Sequence, residues 1–321
     1  MEPGMDFGFD PVVNVTAREV NIGYQPPWST GVIQDEGHHE LVRNQYGIIE
    51  RVAKRSENRS IVQYVRFPVE SRGGWERLKP SLEAAAPGRF PDEWPSRARA
   101  HNADDEIVVW GGGHLCGFFS FVRELVGDEE VLYLFYDDPD LVRDMLSFQL
   151  ERLTELLEAA AADLTIDCLF IWEDMCYKNG PLISPQHFRE FLLEPYRRYI
   201  ATAKSLGIEA IDVDSDGNVA ELIPLWLEAG VTMLHPFEVQ AGMDVVQLKR
   251  QLGDTIVLRG GVDKRQLANG RDAIDTEVAR VRPAYEAGGY IPCADHSIPP
   301  DVPYDNFRYY LDRRRQLIGM V

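Results

Sequence analysis

The sequence predicts an α/β protein, a (β/α)8 barrel of the TIM type with a short N-terminal extension. Three observations predict it. Short apolar runs alternate with longer amphipathic stretches from about residue 60 onward, the order that builds a parallel sheet covered by helices. Roughly seven or eight such units fit a closed barrel better than an open doubly wound sheet, and no GxGxxG follows the first run. Polar residues collect where the runs end: Glu173 and Asp174, Asp214 and Asp216, Glu238, Asp263, Asp295 and His296. In a barrel those ends meet at one mouth, where active sites are built.

The elements follow in order. Residues 1–59 read as an extension packed on the barrel, with "YGIIERVAKRSENRSIVQYVRFPV" as a hairpin that turns at "SENRS". The barrel domain is expected over 60–321. Its strands are expected at 61–67, 106–112, 167–174, 208–216, 231–238, 255–263 and 290–296. The strongest helical patterns are 139–162, 184–206, 219–228, 244–252, 271–287 and 304–318. Three of them end in "SLG", "EAG" and "QLG", with Gly where a helix stops in a left-handed turn.

Composition narrows the function classes. The 321 residues are 45% hydrophobic and 26% charged, ordinary for one globular domain with a sizeable core. The net charge of −19 disfavours nucleic acid and anionic membranes, which need Lys and Arg. The basic triplet at Arg313 to Arg315 lies on a helical pattern and reads as a solvated face. The four cysteines form no CxxC pair, so reduced thiols are expected. The acidic, Pro-broken "MEPGMDFGFDP" lacks the basic and apolar regions of a signal peptide, and no run is long enough to cross a membrane. A cytoplasmic location is expected.

The stretch "IDVDSDGNVAELI" mimics the start of a calcium-binding EF-hand loop. That loop requires a bidentate Glu at position 12, and counting from Asp212 the position holds Ile223. Period-two alternation is instead the mark of a strand, which puts Asp212, Asp214 and Asp216 on one face.

Longer stretches resemble a family. "WEDMCYKNGPLISPQHFREFLLEPYRRYIATAKSLG", "DSDGNVAELIPLWLEAGV", "LRGGVDKRQLANG" and "GGYIPCADHSIPPDVPYDNFRYYL" are similar to the uroporphyrinogen decarboxylase superfamily over roughly 68–317. The resemblance implies a (β/α)8 barrel and one of two chemistries. One is cofactor-free decarboxylation of a porphyrinogen. The other is zinc-dependent methyl transfer with a corrinoid protein or cobalamin. No "RQAGRY"-like motif is present to receive substrate carboxylates. The metal motif of the methyltransferase branch, His-x-Cys followed by a later Cys, falls on Asp214, Asp216 and His296. The resemblance therefore implies a divalent metal on those three residues. Two carboxylates and an imidazole suit Zn²⁺ but also Fe²⁺, Mn²⁺ or Co²⁺.

Metal-dependent methyl transfer, of an O-demethylase kind with a corrinoid protein as partner, is the leading expectation. A cofactor-free decarboxylase and a non-catalytic barrel with a decayed metal site are the alternatives. Glu173 and Asp174 are candidate acid/base groups, and Asp212 a catalytic or supporting one. Glu238 and Asp263 hold mouth positions that could touch a ligand or cofactor, and Gly261 in "RGGVD" could offer a backbone N–H there. Alone on a strand, His235 reads as a core residue, Cys293 as a small hydrophobe, and Asp295 as structural. Trp110, Trp172 and Phe237 read as core or pocket wall. A homodimer is expected from the resemblance.

Overall fold

The computed structural model describes residues 10–54 and 62–320. Thirteen strands follow in chain order: β1 (Val12–Asn14), β2 (Gly31–Asp35), β3 (His39–Arg43), β4 (Ile49–Ala53), β5 (Gln63–Arg66), β6 (Ile107–Gly111), β7 (Cys168–Trp172), β8 (Cys176–Tyr177), β9 (Gly180–Pro181), β10 (Ala210–Asp214), β11 (Met233–His235), β12 (Val257–Val262) and β13 (Tyr290–Ala294). Seven of them form the main sheet in the order β1-β6-β7-β10-β11-β12-β13. Every pairing within it is parallel.

Helices connect the parallel strands, as the alternation requires. Pro139–Ala161, capped by Asp138, leads into β7. The Ile223–Ala229 helix stops at Gly230, whose φ of 100° is left-handed. Between sheet and helices lies a core of large side chains, with Trp75, Trp110, Trp226, Phe118 and Phe188 fully buried. Alternate residues along the strands face the helices and the inside of the curl. Leu169 and Ile171 of β7 pack under the helices, while Phe170 and Trp172 turn to the other face and stay partly open.

Two expectations change. Eight strands were expected and the parallel sheet has seven. Residues 61–67 do not supply a barrel strand: β5 joins β2, β3 and β4 in a separate antiparallel sheet. All four residues of β5 are exposed, so nothing drives it into a buried parallel sheet. The anticipated hairpin survives as the β4–β5 pair, and its turn at 56–60 lies outside the described residues. Conversely β1, within the segment read as an extension, pairs with β6 in the main sheet. The 59/60 boundary therefore cuts across both sheets.

Among the described residues no ladder joins β1 to β13. Yet Val12 of one edge strand, Ile107 of the strand beside it and Ile291 of the other edge strand line the same cavity. The sheet is thus curled so that its two edges face each other across an opening. The Tyr304–Leu317 helix flanks that opening with Phe307, Tyr310, Leu311 and Arg314. No helix among the described residues is long and apolar enough to cross a membrane.

Candidate functional site

Adjacent strands bring the polar residues together. In the β10–β11 register Asp212 pairs with Met233 and Asp214 with His235, and Asp214 also pairs with Trp172 of β7. Side chains two residues apart share a face, so Asp212, Asp214, His235 and Arg259 all project inward. Asp214, Asp216, His235, Arg259 and His296 line one cavity of about 750 Å³, with Trp172 as part of its wall.

The hydrogen bonds fix the state of His235. Its Nδ1 lies 2.8 Å from Asp212 Oδ1, and Arg259 Nη2 lies 2.7 Å from its Nε2. A guanidinium can only donate, so Nε2 accepts and the proton sits on Nδ1, donated to Asp212. The network therefore assigns a neutral imidazole. Arg259 also stands 3.4 Å from Asp212 Oδ2, giving that buried carboxylate its cation.

Among the described residues Asp214 has no such partner. Its Oδ2 is 3.6 Å from His235 Nε2, whose lone pair is already committed to Arg259. Burial raises the Asp214 pKa to about 6, and the Asp216, Asp212 and Asp174 charges add to the rise; only a protonated His235 would oppose it, and the hydrogen bonds of that ring hold it neutral. Asp216 is also raised, by burial first and then by Asp174 and Glu238, against the pull of His296. Its Oδ2 is 3.1 Å from His296 Nε2, a contact that spans 80 residues of sequence.

A second cavity, of about 360 Å³, shares Trp172 and Asp216 with the first and adds Asp174, Glu238, Arg123 and His114. His114 is sandwiched between Tyr46 and Trp172, with ring centroids 4.7 and 4.3 Å away. Arg123 lies over the Trp172 ring at 5.3 Å and pairs with Asp174 at 3.4 Å. Asp174 holds φ at 43°, a left-handed conformation that costs energy and is found at functional sites. Glu238 pairs with Lys264 at 3.2 Å and accepts from the Gly217 N–H.

Other candidates have structural partners. Glu173 is fully buried and turned under the loop before the Phe119–Val126 helix. Its oxygens accept from the N–H groups of Phe118 and Ser120 and from the Tyr196 hydroxyl, so all of its partners are donors of the fold. Asp263 caps the Lys264–Ala268 helix and pairs with Arg265. The Gly261 N–H bonds to Pro236 O, and a Cβ there would strike Val245, so this glycine serves close packing. Asp295 accepts from the N–H groups of Val239 and Lys264.

Of the three residues on which the resemblance places a metal, Asp216 and His296 are 3.1 Å apart, while Asp214 lies 3.6 Å from His235, which was not among them. Among the described residues no group of three or more His, Cys, Asp or Glu side chains is arranged to hold a metal ion. As they stand, Asp214, Asp216 and His296 do not fit a three-ligand centre.

Sequence reasoning took His235 for a core residue and passed over Arg123 and His114. A lone strand His carries no local mark of function. Only the register places it beside Asp214.

Comparison with known proteins agrees with this architecture. The family profile described as "Uroporphyrinogen decarboxylase (URO-D)" matches residues 108–317. A uroporphyrinogen decarboxylase from Neisseria gonorrhoeae (strain NCCP11945) is 25% identical over 202 residues, 57% of this chain. The match spans about half of that relative, 51% of its length. Among solved structures, a methyltransferase from Methanosarcina mazei superposes with a TM-score of 0.54 at 19% identity, covering 80% of this chain and 72% of its own. That likeness is one of fold. The profile takes in every main-sheet strand from β7 to β13 and, with them, Asp214, His235, Arg259 and His296; the chain belongs to the uroporphyrinogen decarboxylase family.

Proposed function

We propose that the chain is a cofactor-free decarboxylase of a carboxylated small molecule, working by proton transfer in the 750 Å³ cavity. The observation that supports this is Asp214, a carboxyl group with a pKa of about 6 facing the cavity beside a neutral imidazole. A group that titrates close to the working pH is suited to general acid catalysis. Arg259, part of whose side chain is exposed to the same cavity, supplies a donor fork for an anion.

The chemistry balances without a further reactant. The substrate carboxylate leaves as CO2, and the electron pair of the broken C–C bond stays on carbon. Protonated Asp214 gives that carbon its proton and recovers one from water. His235, held between Asp212 and Arg259, positions the guanidinium and keeps a second charge away from Asp214. The cavity offers two arginines, Arg259 and Arg314. That is a poor reception for eight carboxylates, so a smaller acid than uroporphyrinogen is the substrate. The test is CO2 release from a panel of β-keto and electron-rich aromatic acids. Asp214→Asn should abolish it; an Asp214→Asn enzyme as active as the wild type would refute the proposal.

Metal-dependent methyl transfer with a corrinoid partner is a second reading, supported by the approach of His296 to Asp216 from a distant strand. Metal titration separates the two. One equivalent of Zn²⁺, Mn²⁺ or Fe²⁺ bound by the wild type and lost in His296→Ala favours methyl transfer. No binding to either protein leaves the decarboxylase.

A further inference from the structure

A third cavity, of about 480 Å³, lies between the loop 111–115 after β6 and the chain at 21–24, with Gln45 and Tyr46 at its side. It meets the 360 Å³ cavity at His114, and the proposed reaction uses no part of it. The other two cavities hold carboxylates, among them Asp214, Asp216, Asp174 and Glu238. Here no wall residue is acidic, in a chain with 52 acidic residues among 321. Glu124, 3.1 Å from His114 Nδ1, lines the neighbouring cavity and stands 3.7 Å from Arg123.

Two buried arginines back this wall. Arg89 and Arg152 are 3% and 2% exposed, and among the described residues their hydrogen bonds go to backbone carbonyls and to Gln149, with no carboxylate paired to either. Arg89 donates to the carbonyls of Asn21 and Gly23, and Arg152 to those of Ile22 and Leu115. All four carbonyls belong to residues of the wall. Burial pulls the Arg152 pKa down to about 10, which leaves it a cation at neutral pH. Buried charge without a counter-ion is costly, and its field favours an anion in the adjoining space.

The same bonds leave the wall short of acceptors and supplied with donors. The Gly111 carbonyl is taken by Asn14 and Thr16, and that of Gly113 by the Cys116 N–H. Among the described residues the N–H groups of Gly113 and His114 make no hydrogen bond. Nor does the amide NH2 of Asn21, whose orientation is set by the Gly23 N–H donating to its Oδ1 at 2.7 Å. Packing accounts for two of the three glycines. A Cβ on Gly111 or Gly112 would come within 2.0 or 2.1 Å of Phe170 atoms, whereas one on Gly113 meets Ile22 Cδ1 at 3.9 Å, an ordinary contact. A glycine that packing does not require lets a ligand approach the backbone.

We infer that this cavity binds a small organic oxyanion, a phosphate monoester or a carboxylate, with its charged group against the Gly113 and His114 N–H groups and its body on Ile22, Pro27 and Tyr46. The volume falls within the range of small-ligand sites, about 300–1,000 Å³. The site is separate from the Asp214 cavity and does not depend on the reaction there.

The probes are phenyl phosphate and phenylacetate, with benzyl alcohol as the neutral control, titrated by calorimetry into the full chain at neutral pH and low salt. The wild type should bind at least one anion, and benzyl alcohol about tenfold more weakly or less. The tighter of the two anions tells phosphate from carboxylate. Gly113→Asp places a carboxylate in the cavity, and Gly113→Asn nearly the same shape without the charge. Like charges at short range repel, so Gly113→Asp should weaken the anion by about tenfold or more relative to Gly113→Asn. Gln45→Glu, at an exposed position on the same wall, should act in the same direction relative to Gln45→Ala, and it serves in place of the Gly113 pair should those variants not fold. Asp214→Asn should bind the anion as the wild type does, whatever its activity. Anion binding that survives both added carboxylates overturns the inference, and its loss in Arg259→Gln would then place it beside Asp214. Benzyl alcohol bound as tightly as the anions, or no probe bound at all, overturns it as well.

Discussion

Arg259 donates to His235 Nε2 at 2.7 Å while His235 Nδ1 donates to Asp212 at 2.8 Å, so one guanidinium sets the tautomer of the imidazole and neutralises the carboxylate behind it. Removing Arg259 should therefore have two effects. Substrate loses its anion receptor, and His235 is freed to take a proton and pair with Asp214. A lost charge-assisted hydrogen bond is worth about 1.5–3 kcal/mol, or roughly ten- to a hundredfold in kcat/KM. Arg259→Gln should show this loss mainly in KM, together with a downward shift of the alkaline limb of the pH profile, which loss of the Asp214 proton sets, as a protonated His235 comes to stand beside Asp214. Arg259→Lys should keep the charge but not the fork, and fall between. Equal KM values in the three proteins would contradict the assignment.

Asp214 should make the protein less stable as pH rises. Its folded pKa is about 6, above the ordinary 3.8, because burial disfavours the charged form. Sign follows from linkage: the site favours folding fully below about pH 4, and this is lost as pH rises through 6. The shift corresponds to about 3 kcal/mol as an upper figure. Asparagine has no charge to bury. Asp214→Asn should match the wild type in urea denaturation at pH 4 and exceed it at pH 7, by up to that amount. A variant less stable than the wild type at pH 7 would show that the carboxylate is held by a cation after all.

Glu173 should prove structural. Its oxygens meet three donors, two of them backbone N–H groups at the start of the Phe119–Val126 helix. An amide in its place offers one acceptor and turns an NH2 toward a donor. Glu173→Gln should cost about 1–3 kcal/mol of stability and leave kcat close to wild type at a temperature where the variant is folded. A kcat loss beyond a hundredfold in the folded variant would return Glu173 to the catalytic group.

The strand–helix order was legible because it is local: periodicity and Gly stops are written within each segment. Placing Asp214 and Asp216 on the inner side of a strand end needed only period two. Strand number was not legible. β5 has the composition of a barrel strand, and only its exposure on both faces tells that it pairs elsewhere. β1 is three residues long, too short for any pattern. The roles of Glu173 and Asp174 could not be told apart either. They are neighbours that point opposite ways, and which one faces the cavity depends on the left-handed turn at Asp174. Arg259 and His235 gain their meaning from a register between strands, which a single sequence does not encode locally.

Gly217 is the last test of what "DSDGN" is for. In a calcium loop the glycine turns the chain around an ion. Here position 12 is Ile223, which is 2% exposed and begins a helix, so no ion is encircled. Gly217 instead adopts a φ of 79° beneath the β8 strand, where a Cβ would come within 2.7 Å of the Cys176 and Tyr177 carbonyl oxygens. Its N–H donates to Glu238 Oε2 at 3.1 Å, tying the Asp216 turn to the next strand end. Alanine at this position meets both backbone strain and a clash with carbonyls that cannot rotate away, a combination that destabilises by more than about 1 kcal/mol. Gly217→Ala should therefore lower stability and, in the folded fraction, displace Asp216 from His296 and reduce activity. Added Ca²⁺ should stabilise neither protein. A calcium-dependent rise in the melting temperature of the wild type, absent from Gly217→Ala, would restore the ion-binding loop and separate the turn from the Asp216–His296 contact.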